Sequence, residues 1–216
     1  MNASKNPLRS PVFLAIALAG VSLARAETLV DTIRAKYGAD SFGRVEEIRF
    51  TFSARVLGIG PSHTWIWKPK ADSVTLVDEG YSYSRKDMDK KAQKLDGKFL
   101  NDQNWLFFPL GLGLDKGTRI DIDTGLSPSP KKKEPLRHLA VTYAGAGSAS
   151  PGDRYDVYVE PDGLIREWTY HKRGGRSGVS WTWEKYVHVG GMLFSQDHRG
   201  LAHIKLKDIE VHGSAE

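Results

Sequence analysis

The side chains best suited to bind a metal or move a proton near neutral pH are seven histidines: His63, His138, His171, His188, His198, His203 and His212. None falls in an HExxH motif, and no pair within one strand or helix has ligand spacing, so no metal site is expected. His198 and His203 can meet across a bend. Asp197 and His198, with Ser180 or Ser195, supply the parts of a nucleophilic triad, but a triad is defined by geometry and not by spacing. Asp121 and Asp123 set two carboxylates on one strand face; a calcium loop needs more oxygen ligands and a glycine, and these are missing. There is no G-x-S-x-G elbow. The pairs Gly58/Gly60, Gly111/Gly113 and Gly145/Gly147 lack the full phosphate-cradling fingerprint and read as loop glycines. Lys131, Lys132 and Lys133 form a basic cluster that reads as a solvated loop tip, with an anionic headgroup as the alternative. No catalytic residue and no cofactor is assigned.

The elements that would position a site are written in aromatic and β-branched residues, which favour strands. Residues 45–56 alternate: Ile48, Phe50, Phe52, Ala54 and Val56 face one way, while Glu47, Arg49, Thr51, Ser53 and Arg55 face the other. Residues 63–69 form a second strand with Trp65 and Trp67 on one face and Lys68 near its end. Residues 73–77 and 81–84 follow as strands. Residues 28–37 read as a short amphipathic helix that Thr28 can cap and Gly38 can stop. Residues 87–95 read as a charged helix. Residues 100–114 carry Trp105, Phe107 and Phe108 and read as one or two helical turns broken at Pro109. That segment is either core or a hinged lid over a cavity; large aromatics favour core, and Pro109 with the flanking glycines keeps the lid open as a reading. A strand over residues 118–122 and an exposed loop over 127–135 come next. Strands are then expected at 138–143, 154–159, 164–171, 179–189, 192–196 and 202–211, with a turn at Glu160-Pro161-Asp162-Gly163. The fold class is α+β: a large curved antiparallel sheet, an N-terminal helix and mid-chain helices over its concave face.

Residues 1–26 read as a cleaved export signal. Lys5 and Arg9 precede an apolar run over 12–24, and Ala24-Arg25-Ala26 places cleavage before Glu27. The run is shorter than the roughly 20 residues that span a bilayer. Residues 27–216 are then a single domain, expected in the periplasm or outside the cell, with no stable membrane anchor. Cys is absent, which removes both disulfides and a lipid-modified N-terminus. The net charge of +5 falls to +2 without Lys5, Arg9 and Arg25, so no nucleic acid partner is expected.

Three stretches resemble the periplasmic lipoprotein-carrier (LolA-like) family. They are residues 45–53 after the short helix, Trp65-Ile66-Trp67-Lys68-Pro69 with the segment at 78–83, and the hairpin over 155–165 with its Asp162-Gly163 turn. The resemblance implies an incomplete antiparallel barrel with helices as a lid over an apolar cavity. The carriers have an Arg before the Pro that matters for ligand release; Lys68 keeps the charge and loses the planar fork. Residues 99–114 and those from Trp181 onward have no counterpart in the carriers and look more like uncharacterised exported bacterial proteins.

The functional expectation is a monomeric, non-enzymatic binding protein for a lipid or other apolar small molecule. Its candidate lining is Phe50, Phe52, Trp65, Trp67, Trp105, Phe107, Phe108, Trp181 and Trp183, with Arg49, Arg55 and Lys68 as candidate charges beside the ligand. One alternative is an exported hydrolase using His198 with Asp197, or Asp121 with Asp123. The other is an envelope scaffold or adaptor.

Overall fold

The computed structural model describes residues 29–115, 117–143 and 152–213. The expected leader, its cleavage before Glu27 and the capping Thr28 lie outside these residues. Among the described residues, no helix is long and apolar enough to cross a membrane.

Strand β1 (Val45–Arg55) organises the molecule. Its alternation buries Ile48, Phe50 and Phe52 and leaves Arg49, Thr51 and Ser53 half-exposed. Val56, expected on the buried face, instead stands 53% exposed in the turn that ends the strand. On one side β1 pairs with β2 (Ser62–Lys68), followed by β3 (Ser73–Leu76) and β4 (Tyr81–Ser84). On its other side lie β12 (His203–Gly213), β11 (Met192–Arg199) and β10 (Glu184–Val189). These seven strands form one sheet. A second sheet of five strands runs in chain order: β5 (Thr118–Pro128), β6 (Pro135–Tyr143), β7 (Arg154–Val159), β8 (Ile165–His171) and β9 (Val179–Thr182). All the pairings are antiparallel.

The single strand expected over 179–189 is two strands in two sheets. Thr182 and Trp183 are both buried, so the in–out alternation changes phase between them. The chain leaves the second sheet there and enters the first. Together the sheets make an incomplete barrel that does not close, as the resemblance implied.

Among the described residues, three α-helices accompany the sheets. Helix α1 covers residues 29–36 and stops at Gly38, whose φ of 74° is left-handed. The short α2 (Ala39–Phe42) follows it. Helix α3 (Lys90–Gly111) replaces both the helix expected at 87–95 and the broken turns expected at 100–114. Asp89 caps it, its carboxylate accepting from the Ala92 amide at 2.7 Å. Pro109 lies in the last turn, so the helix loses one backbone donor and ends two residues later instead of breaking. Ala92, Leu95, Phe99, Asp102 and Leu106 form one buried stripe; from Trp105 to Leu110 every side chain is buried. There α3 lies between the sheets.

The loop expected over 127–135 is shorter. Ser127 and Pro128 still pair with Leu136 and Pro135. The turn is gripped by the buried Glu167 carboxylate, which accepts from Ser129 Oγ at 2.9 Å and from the amides of Lys131 and Lys132 at 2.7 and 2.8 Å.

Candidate functional site

A cavity of about 800 Å³ runs along α3 between the sheets. The first sheet contributes Phe52, Ala54, Trp67 and Ile204, and the second Tyr143, Tyr155, Trp168, Tyr170 and Trp181. The helix contributes Leu100, Trp105, Phe107, Phe108 and Leu110. Its polar lining comes from Arg34, Asn101, Gln103, Asn104, Asp115 and Asp153.

The rings interlock. Phe107 meets Trp67 edge-on at 5.2 Å between centroids and Phe194 at 5.6 Å. On the opposite flank of α3, Trp105 lies 4.8 Å from Trp168 and 5.2 Å from Trp181, and Phe108 lies 5.1 Å from Trp168. Of the nine aromatic candidates, Phe52, Trp67, Trp105, Phe107, Phe108 and Trp181 line the cavity. Phe50, Trp65 and Trp183 are fully buried and do not. Phe50 and Trp65 are cross-strand partners, and Trp65 packs on Phe99 of α3. Trp183, at the sheet switch, packs on Trp168 and His198.

The candidate charges lie elsewhere. Arg49, Arg55 and Lys68 project from the outer side of the first sheet, because the inner side of β1 and β2 is taken by the alternating apolar set. Lys68 pairs with Glu47 at 3.2 Å, and Arg55 donates to the Gly60 carbonyl. Among the described residues, the cation on the cavity wall is Arg34. From α1 its Nη1 donates to the carbonyls of Leu110 and Leu112 at 2.9 and 3.3 Å, satisfying the frayed C-terminus of α3. No local pattern marks Arg34, since its partners are 76 and 78 residues away.

Two buried carboxylates fasten α3 to the first sheet. Asp96 accepts from Tyr83 Oη at 3.1 Å and Arg85 Nε at 2.9 Å. Asp102 accepts from Trp65 Nε1 at 2.9 Å and lies 2.7 Å from His63 Nδ1. Burial raises the Asp102 pKa, and its hydrogen bonds to Trp65 and His63 oppose the rise. Toward the second sheet the helix offers, among the described residues, ring contacts and one long hydrogen bond, Asn104 Nδ2 to Tyr155 Oη at 3.4 Å.

The groups considered for hydrolysis are dispersed. His198 is fully buried between Trp105 and Trp183, and neither ring nitrogen has a hydrogen-bond partner among the described residues. Burial pushes its pKa down to about 3, so it is neutral at pH 7 and already loses its proton in acid. Asp197, one residue earlier, faces the other way and meets His203 at 2.9 Å and Arg199 at 3.2 Å. Ser195 Oγ donates to the Glu184 carbonyl, and Ser180 shares a hydrogen bond with Thr169. Asp121 pairs with Arg119 on the surface, while Asp123 meets His138 at 2.8 Å. Among the described residues, no group of three or more His, Cys, Asp or Glu could hold a metal ion.

Comparison with known proteins places the fold. No protein-family model matches the chain, and no curated protein matches it in sequence. A LolA superfamily protein from Nitrosomonas europaea superposes with a TM-score of 0.56 at 8% identity, covering 88% of this chain and 94% of that one. A DUF1329 family protein from Desulfovibrio piger has a TM-score of 0.47 at 10% identity, with 88% and 95% covered. A putative outer membrane lipoprotein-sorting protein domain from Vibrio parahaemolyticus has a TM-score of 0.39 at 10% identity, with the same coverage of 88% and 95%. At 8% identity, the likeness to the Nitrosomonas protein is one of fold: this chain has the LolA-like architecture.

Proposed function

We propose that this protein is an exported, non-enzymatic carrier that holds a lipid chain or another apolar ligand along α3. The observation that carries the reading is the cavity of about 800 Å³, which falls within the range of ligand sites and is walled by six of the nine aromatic candidates. Burying apolar ligand surface there is worth about 25 cal/mol per Å² before the costs of binding. The polar groups on the wall suit a ligand that is apolar along its length and polar at one end. The LolA-like architecture and the leader-like residues 1–26 support the same reading, as a lipid-handling protein of the cell envelope.

Native mass spectrometry of the protein purified from its own host tests it. The expected result is a protein carrying bound mass that an organic extract identifies as lipid, with an N-terminus at Glu27. A homogeneous ligand-free mass, together with no uptake of a fluorescent fatty acid, would overturn the carrier reading.

A further inference from the structure

Seven large apolar side chains are exposed among the described residues, and four of them gather at one end of the first sheet. Val56, Leu57 and Ile59 are 53%, 98% and 80% exposed, and Leu201 is 76% exposed. Arg55 pairs with His203 across β1 and β12, so the β1–β2 turn and the β11–β12 turn emerge side by side. Isolated exposed leucines are ordinary on a protein surface; a cluster on two adjacent turn tips is not.

The β1–β2 tip is built rather than slack. Val56 and Ile59 exchange both backbone hydrogen bonds, at 2.9 and 3.0 Å, closing a two-residue turn. Leu57 and Gly58 both have positive φ, 51° and 83°, the type I′ pattern. Asn, Asp or Gly suits the position of Leu57, and leucine strains it. Neither burial nor turn geometry therefore accounts for a leucine there. At Gly60 a Cβ would stand 2.0 Å from the Ala54 carbonyl oxygen, so glycine is required, and Arg55 braces the tip by donating to the Gly60 carbonyl.

Basic groups flank these tips. Arg55 and Lys205 lie on β1 and β12. Lys185, Arg199 and His203 gather at the Asp197 carboxylate at 3.7, 3.2 and 2.9 Å, and Arg199 also meets Glu184 at 3.6 Å. The geometry points to a docking surface for an anionic phospholipid bilayer, with Leu57, Ile59 and Leu201 entering the headgroup layer and the basic groups meeting phosphates. A convex tip inserts into a bilayer but offers little area to a protein partner, which needs about 800 Å² on each side. The surrounding cations complement anionic lipid. The cavity lining includes Ala54 and Ile204, just inside the two turns, so docking sets one end of the cavity against the bilayer. Docking itself does not require a filled cavity.

Flotation of the host-processed protein with vesicles tests the proposal, using phosphatidylglycerol mixed with phosphatidylcholine against phosphatidylcholine alone. Binding is expected on the mixed vesicles at low salt, weakened about tenfold without the anionic lipid or at high salt. Leu57→Asp with Ile59→Asp should weaken it by about tenfold or more. Leu57→Asn should also weaken it while holding or raising the melting temperature, because Asn suits the turn. No flotation of the wild type, or flotation of the Asp variant equal to wild type, overturns the proposal, even if a protein partner binds the tips. Fatty acid uptake by the same variants separates the two readings: uptake without flotation sinks the docking surface alone, and flotation without uptake sinks the carrier alone.

Discussion

His198 is a histidine that cannot act as a base at neutral pH in the usual way, because its surroundings favour the neutral ring so strongly. Burial holds its folded pKa near 3, below the ordinary 6.5, and the Asp197 charge opposes this only in part. A base whose pKa is depressed on folding contributes stability above its unfolded value and loses it as pH falls toward the folded one. Stability should therefore decline below pH 6.5 by about 1.4 kcal/mol per pH unit from this group. The expected outcome for His198→Phe, which keeps a ring between Trp105 and Trp183, is a lower acid-unfolding midpoint with little change at pH 8. An acid profile superimposable on the wild type would show that another group sets it. At this scale the sequence was partly legible. Adjacent Asp197 and His198 on a strand must face opposite ways, which already speaks against their acting together. Arg34 and Glu167 were not legible, because each acts on backbone far along the chain.

Helix α3 is attached unequally to its two neighbours, and in the carrier proposed above that asymmetry would set how the cavity opens. Asp96 and Asp102 hold it to β2 through Trp65 and His63, to β4 through Tyr83, and to Arg85 just after β4. The second sheet meets it through rings such as Trp168, Trp181 and Tyr155, which slide more readily than a buried charged hydrogen bond breaks. Opening should part α3 from the second sheet and leave it on the first. Asp102→Ala strands the Trp65 Nε1 donor and should cost about 1–3 kcal/mol. In hydrogen exchange it should then deprotect the middle of α3 while the second sheet stays protected. Equal deprotection of both sheets would mean that the helix is not hung from one side. The helix also shows why the mid-chain was hard to read. Pro109 and the flanking glycines look like breaks, yet they fall in the final turn and just beyond it, where a helix must end anyway. The split between β9 and β10 left its trace only in two consecutive buried residues, a pattern visible once burial is known. By contrast β1, with its strict alternation, was legible almost to the residue.

The whole molecule is a pair of sheets held apart by a helix, and the rings that separate them leave space they do not fill. No cysteine is present, so no disulfide locks the sheets together. Packing resists opening together with side-chain hydrogen bonds between the sheets, among them Trp181 Nε1 to the Ala202 carbonyl at 3.0 Å and the Arg199 amide to Thr182 Oγ1 at 3.1 Å. Such a cavity makes a graded demand on its occupant. Each CH₂ moved from water to the aromatic wall should contribute about 0.8 kcal/mol, or roughly fourfold in Kd, for as long as empty space remains. Beyond that length the chain must displace Trp105, Phe107 or Phe108 or protrude past the polar wall at Asp115 and Asp153, and the gain should stop. Kd values for saturated fatty acids of increasing length should therefore fall steeply and then level. Melting temperatures should follow, since a ligand at a hundredfold excess over Kd stabilises the folded state by about 2.7 kcal/mol. A flat dependence on chain length would mean that the space between α3 and the sheets is not where the chain lies, whatever binds at the surface.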